Sequence, residues 1–126
     1  MRRSDQRRAA VFALYQSEVT GREPADQLDR DATAFSRELV EGAAAHREEL
    51  DELIARHAHG WSLDRIAPLE RNIMRVALYE LLHRPDVPAE VAIDEAVEAA
   101  KELCSADAPK FVNGILGAVE REEVAS

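Results

Sequence analysis

The sequence predicts an all-α fold, a compact domain of six to seven helices, and three observations carry that expectation. Apolar residues recur at helical rather than alternating spacing along nearly the whole chain. Gly and Pro number only five each, and Gly21, Pro24, Gly60, Pro85 and Pro88 stand between the periodic stretches. The 126 residues are 46% apolar and 33% charged with abundant Ala, a mixture that favours helix over sheet and suits one domain, residues 1–126.

Taken in order, Arg7 to Thr20 reads as a first helix, with Ala10, Val11, Leu14, Tyr15 and Glu18 at helical spacing and Val19 continuing the stripe. Gly21 stops it and Pro24 bars continuation. A polar loop follows, with Leu28 its only large apolar residue. A second helix is expected from about Ala32 to Ala45, with Phe35, Leu39, Val40 and Ala43 inward. A third continues to about His57 on Leu50, Leu53 and Ile54, and the join near His46 is either a kink or a bend. Gly60 ends it, and Trp61 to Ile66 connect onward. The fourth helix, Pro68 to about His83, places Pro68 in its first turn. It is apolar nearly all round, from Leu69 to Leu82, so it is expected to form the spine of the bundle. The fifth, about Pro88 to Leu103, buries Val91, Ala92, Ile93, Ala96, Val97, Ala100 and Leu103. Asp107 is read as the N-cap of a sixth, with Pro109 in its first turn and Phe111, Val112, Ile115, Leu116 and Val119 as its stripe. The charged tail after Glu120 is expected to fray.

The net charge of −9 argues against nucleic acid only on average. Residues 1–8 hold four arginines against Asp5, a local charge of +3, while the rest holds 12 basic and 24 acidic side chains, −12. Binding follows the local field, which is screened beyond about 8 Å at physiological salt. Arg2, Arg3, Arg7 and Arg8 therefore form a candidate RNA-binding cluster, their planar guanidinium forks matching phosphate oxygens and stacking on unpaired bases. Arg3 and Arg7 share a face if the first helix reaches that far. The bland alternative is a solvated, fraying terminus. A second candidate is the start of the sixth helix, where free N–H groups, Lys110 and Phe111 could meet phosphate and base. Periodicity alone assigns Phe111 to the core.

Catalytic and cofactor chemistry finds no purchase. His57 and His59, two apart, point to different faces of a helix and lack neighbouring ligands at metal spacing, so no metal site is expected. Cys104 stands alone, which excludes an internal disulfide and fits a reducing cytoplasm. The sequence contains no phosphate-binding glycine loop, no dinucleotide fingerprint and no nucleophile elbow. No apolar stretch approaches the roughly 20 residues of a membrane helix. By themselves the residues thus point to a non-enzymatic, cytoplasmic, acidic helical bundle with a basic end and no cofactor.

Five stretches go further. Arg7-Arg8-Ala9-Ala10-Val11-Phe12-Ala13-Leu14-Tyr15, Trp61-Ser62-Leu63-Asp64-Arg65-Ile66 and Glu70-Arg71-Asn72-Ile73-Met74-Arg75-Val76-Ala77-Leu78-Tyr79-Glu80-Leu81 are the first three. Asp86-Val87-Pro88 with Val91-Ala92-Ile93-Asp94-Glu95-Ala96-Val97, and Lys110-Phe111-Val112-Asn113-Gly114-Ile115-Leu116, complete the series. In order and across nearly the whole chain, they resemble the NusB family of bacterial transcription antitermination factors. The resemblance implies two packed three-helix bundles and binding of boxA RNA jointly with the ribosomal protein NusE. It further implies assembly of an antitermination complex on RNA polymerase, notably in ribosomal RNA transcription. By motif position it implies RNA contact at Arg3 and Arg7, a second RNA patch at Lys110 and Phe111, and a NusE-facing surface at Tyr15, Tyr79 and Glu80, with Asp107 a further candidate.

Two departures from the family pattern stand out. Ser4, Asp5 and Gln6 interrupt the arginine lead, and Pro68 sits at the start of the fourth helix. Two rival functions remain open to the sequence. One is an RNA-targeting domain like those preceding the catalytic part of some RNA cytosine methyltransferases, which would need a cofactor-binding sheet for which these 126 residues leave no room. The other is a protein–protein adaptor without RNA contact, which would tolerate loss of the arginines.

Overall fold

The computed structural model describes residues 1–124. Six α-helices follow one another: α1 Arg3–Thr20, α2 Ala34–Ala45, α3 Arg47–His57, α4 Pro68–His83, α5 Ala89–Leu103 and α6 Ala108–Val119. Single 3-10 turns at Pro24–Gln27 and Leu63–Arg65 lie in the connections, and a π-helical turn at Glu120–Val124 extends α6. The first helix begins one turn earlier than periodicity suggested. Its added turn is tied down from outside: the Thr33 hydroxyl donates to Gln6 Oε1 at 2.7 Å, and the Ser36 hydroxyl donates to the Gln6 carbonyl at 2.9 Å. Asp5 also suits the positive end of the helix dipole. Gly21 closes α1 in the left-handed region at φ 74°, its N–H donating to the Ser17 carbonyl.

Thr33, not Ala32, sets the start of α2, its side chain accepting from the Ser36 N–H at 3.2 Å. The α2–α3 join is a one-residue break at His46, φ −104° and ψ 18°. Hydrogen bonds from His46 N–H to the Gly42 carbonyl and from Leu50 N–H to the His46 carbonyl, both 3.0 Å, keep the two helices nearly continuous.

α4 is the spine, as its composition implied. Every residue from Asn72 to Leu81 is buried, and the helix packs against all five others. α4, α5 and α6 close on one another as one three-helix set, and α1, α2 and α3 form the other half, with α3 also reaching α6. Ala92, Ala96, Ala99 and Ala100 are buried on α5, and such small side chains let helix axes approach closely.

Four expectations need correction. Val91 is 40% exposed and Val19 64% exposed, each lying at the edge of its apolar stripe where no neighbouring helix covers it. Asp107 does not cap α6: it sits in the right-handed helical region at φ −86°, ψ −15°, and a capping side chain needs an extended backbone. The tail after Glu120 does not fray through residue 124, because Arg56 pairs with Glu123 and Val124 packs on the core. The last two residues of that tail fall outside the described residues. His57, expected to have no neighbouring ligand group, is a buried ring with Nδ1 3.6 Å from Glu122.

Gly42 on α2 lets the Tyr79 ring lie directly against the α2 backbone; a Cβ there would sit 2.2 Å from the ring. Gly42→Ala is therefore expected to destabilise the fold by about 1–3 kcal/mol despite the better helix propensity of Ala. Gly114 on α6 has open space around it, and Gly114→Ala is expected to stabilise by roughly 0.5–1 kcal/mol. Urea unfolding midpoints of the two variants should move in opposite directions; a shared direction would mean that Tyr79 is not held against α2.

Candidate nucleic-acid interface

The four N-terminal arginines occupy four environments. Arg2 is open to solvent, its Nε 3.6 Å from Asp5. Arg3 is exposed and lays its guanidinium over the Phe35 ring, 3.8 Å from the centroid. Arg8 donates from Nη2 to Glu102 at 2.7 Å and from Nη1 to the Ser4 carbonyl at 3.1 Å. Arg7 is buried. Its Nε and Nη2 donate to the two carboxylate oxygens of Glu80, both at 2.8 Å, and its Nη1 lies 3.6 Å from Glu95. The hydrogen bonds that it donates to Glu80 hold this guanidinium above its ordinary pKa, although burial works against the charge.

This overturns the expectation that Arg7 and Glu80 are both surface residues. Glu80 is 1% exposed, because α4 is covered on every side, and Arg7 is the cation that lets a carboxylate stay there. The two residues assigned by motif position to RNA and to the protein partner are partners of each other. The Ser4 hydroxyl donates to Glu95 Oε2 at 3.0 Å, so α5 contributes Glu95 and Glu102, seven residues apart, as a carboxylate edge along the arginine cluster. That edge was legible as an i, i+7 face of α5, but nothing in the sequence placed it beside α1.

Phe35 is the aromatic floor of this end. Besides Arg3, it carries the guanidinium groups of Arg7 and Arg84, each 5.3 Å from its centroid. Arg84 in turn pairs with Glu38 and Asp86, and its hydrogen bond holds the Asp86 carboxyl down at about 2. Tyr79 lies next to this group. It is buried, and its hydroxyl donates to Glu38 Oε2 at 3.2 Å. Burial and the nearby Glu38 push its phenol up. Tyr15 is half-buried on α1, and Asp107 is exposed at the start of α6.

The second patch is a shallow cleft of about 310 Å³ lined by Trp61, Arg65, Glu70, Asp107 and Phe111 among others. Phe111 is half-buried: it packs against the core, as periodicity expects, and leaves part of its ring at the surface. Its ring stands edge-on to Trp61, at 6.2 Å and 68°. Trp61, read from the sequence only as part of a connector, is 54% exposed. Lys110 is exposed one residue before Phe111. Burial pushes the Glu70 carboxyl up and, with Glu70 nearby, raises the Cys104 thiol to about 11. Among the described residues, one His/Glu group brings its ligand atoms within 4.8 Å of one another: His46, Glu49 and His83, to which neither His57 nor His59 belongs.

Two packed helical halves on one buried helix, with a cationic end on α1 and an aromatic cleft beside α6, define a small all-helical protein that offers surfaces rather than an enclosed pocket. Comparison with known proteins narrows the class. The profile of the NusB family matches residues 4–121. The transcription antitermination protein NusB of Symbiobacterium thermophilum is 43% identical over 96% of this chain and 90% of its own length. The solved structure of T. maritima NusB superposes with a TM-score of 0.90 at 34% identity, covering 98% of this chain and 94% of that one. A crystal structure of the antitermination factors NusB and NusE in complex with dsRNA superposes with a TM-score of 0.83 at 29% identity, covering 94% and 96%. The chain belongs to the NusB family.

Breaking the buried pair leaves one charge unpaired inside the protein, which typically costs about 3–5 kcal/mol. Arg7→Ala and Glu80→Ala are each expected to lower Tm sharply, while Arg3→Ala should change stability by less than about 1 kcal/mol. Differential scanning calorimetry separates them; equal melting of Arg3→Ala and Arg7→Ala would place Arg7 at the surface after all. With a thiol at about 11, only about one Cys104 in a thousand is thiolate at pH 8, so aromatic disulfide reagents should react far more slowly than with free cysteine until the chain is unfolded.

Proposed function

We propose that this chain is a transcription antitermination factor of the cytoplasm. It binds single-stranded boxA RNA jointly with the ribosomal protein NusE and helps assemble an antitermination complex on RNA polymerase, notably during ribosomal RNA transcription. The observation that supports this reading best is end-to-end similarity to NusB proteins, one of which has been solved with NusE and RNA. No helix among the described residues is long and apolar enough to cross a membrane.

RNA contact in this reading starts with Arg2 and Arg3, whose guanidinium groups are exposed and not taken up by a buried carboxylate. Arg8 joins them by exchanging Glu102, which is itself open to solvent, for a phosphate. Arg7 serves as a positioning residue: locked to Glu80, it fixes the rotation of α1, and with it the directions in which Arg3 and Arg8 project toward α2 and α5. Lys110 and the Phe111–Trp61 pair supply a phosphate contact and an aromatic surface for an unpaired base. On the partner side, Tyr15 and Asp107 retain accessible surface. Tyr79 and Glu80 act on the partner through the packing of α4, because both are buried.

The experiment is a titration of boxA-type RNA with and without NusE, read by anisotropy and by fluorescence of Trp61, the only tryptophan. Each phosphate contact to a single strand contributes about −0.7 to the slope of log K against log salt. With Arg7 committed to Glu80, Arg2, Arg3, Lys110 and an Arg8 released from Glu102 leave three or four contacts for the isolated chain, so a slope of about −2 to −2.8 is expected. Arg2→Ala with Arg3→Ala should remove half or more of it. Added NusE should tighten RNA binding, and by reciprocity RNA should tighten NusE binding by the same factor. A slope near zero with NusE binding intact would favour the adaptor without RNA contact. Duplex RNA serves as the comparison ligand, since the related complex holds dsRNA.

A further inference from the structure

We propose that His46, Glu49 and His83 form a binding site for a single divalent transition-metal ion of the zinc type, on the face where the α2–α3 break meets the end of α4. The three residues come from separate elements. His46 is the lone residue between α2 and α3, Glu49 lies in the first turn of α3, and His83 is the last residue of α4. Their ligand atoms all lie within 4.8 Å of one another. Glu49 Oε1 is the hub, 2.9 Å from His83 Nε2 and 3.7 Å from His46 Nδ1. A tetrahedral ion with bonds of about 2.0–2.2 Å holds its ligand atoms roughly 3.3–3.5 Å apart, between these two distances.

The surroundings favour a built site over a chance meeting of surface side chains. The two imidazoles are stacked at 3.9 Å and 22°, so both rings are already ordered. Tyr79 extends the stack, 5.4 Å from His83 and 6.1 Å from His46, and is itself buried and held by Glu38. Ion binding needs the two rings only to fan apart from this stack. The adjacent cations do not oppose it: Arg47 pairs with Asp51, and Arg84 pairs with Glu38 and Asp86. The side chains of His46, Glu49 and His83 remain 41%, 50% and 29% exposed, which leaves a fourth position to water. Two imidazoles and one carboxylate select zinc, cobalt, nickel or copper over magnesium or calcium, which demand more oxygen ligands. An ion here would join the α2–α3 corner to the end of the central helix, so it would bind the folded chain in preference to the unfolded one.

The test uses the untagged full chain, with Zn²⁺ by calorimetry and Co²⁺ by visible absorption. One ion per chain, a Tm raised by several degrees under saturating Zn²⁺, and a Co²⁺ spectrum of four- or five-coordinate type are expected. Magnesium should give none of these. His46→Ala, Glu49→Gln and His83→Gln should each weaken Zn²⁺ binding at least tenfold, whereas His59→Ala should leave it unchanged. Circular dichroism without metal establishes that each variant is folded. Should His46→Ala fail to fold, His83→Gln and the wild-type Co²⁺ spectrum decide the matter. Absence of saturable Zn²⁺ binding, or a Zn²⁺ affinity unaltered in folded His83→Gln, overturns the proposal.

Discussion

The antiparallel seating of α1 on α4 is the constraint from which the rest of this fold follows, and buried charge sets it at both ends. Near the start of α1, Arg7 forks onto Glu80 at 2.8 Å. Near its end, Glu18 accepts from Arg71 at 2.7 Å, from Asn72 at 3.1 Å and from Arg75, which also forks onto Asp51 of α3. Burial pushes the Glu18 carboxyl up, but the hydrogen bonds from Arg71 and Arg75 outweigh it and hold the pKa below the ordinary value. Apolar contact alone would let α1 slide or rotate on a spine that is greasy all round. An α1 displaced by one turn would leave Glu80 buried without a partner, at a cost of several kcal/mol, and would strip Arg75 of Glu18, one of its two carboxylates. The charges therefore act as register pins, while the apolar faces supply the driving force.

The same pins decide what the basic end can do. Four arginines in eight residues suggest a strong phosphate clamp, yet one is spent on Glu80 and another leans on Glu102. The free cation count at this end is nearer two than four, on a chain of net charge −9. What burial takes from charge it returns as geometry: Arg3 rests on Phe35, four residues from a guanidinium that cannot move. A side chain ordered before binding loses less entropy on contact. Modest charge with ordered donors is the arrangement expected of a protein that meets RNA in company rather than alone.

Six helices, their order and the central position of α4 were legible in the sequence, because 3.6-residue periodicity and Gly or Pro punctuation are local signals. Arg3, Lys110 and Phe111 were candidates through local charge, the start of the sixth helix and motif position, although periodicity alone gave Phe111 to the core. The Arg7–Glu80 pair was not, since the partners lie 73 residues apart and each alone looks like an ordinary surface charge. The Asp107 cap failed for a different reason: residue type favoured it, but the backbone arrives already helical, and the capping geometry is lost. Residues 121–124 looked like a fraying tail because the docking of Arg56 on Glu123 is likewise a long-range contact. Periodicity identifies faces; it does not identify which faces meet.

The buried pair also changes what a substitution in α4 can report. A carboxylate on a surface helix can be removed to test a contact directly. Glu80 cannot, because its removal strands Arg7 and loosens the turn that presents Arg3 and Arg8. Loss of partner binding in such a variant would follow from a displaced α1 as readily as from a lost contact. The exposed Tyr15 edge and Asp107 are free of this coupling, so they are the positions at which a partner surface can be separated from the scaffold that holds it. Electrostatics gives that surface a further meaning. A chain of net charge −9 with two or three available cations at its basic end gains from a partner that brings its own positive charge. A basic ribosomal protein seated beside the arginine end would extend the phosphate track without disturbing the ion pairs that fix α1 on α4. On the proposed function, joint binding would follow from how this fold uses its arginines: Arg7 is committed to the register of α1 on α4, Arg8 leans on Glu102, and Arg2 and Arg3 are left to meet a strand that a partner's charge helps to hold.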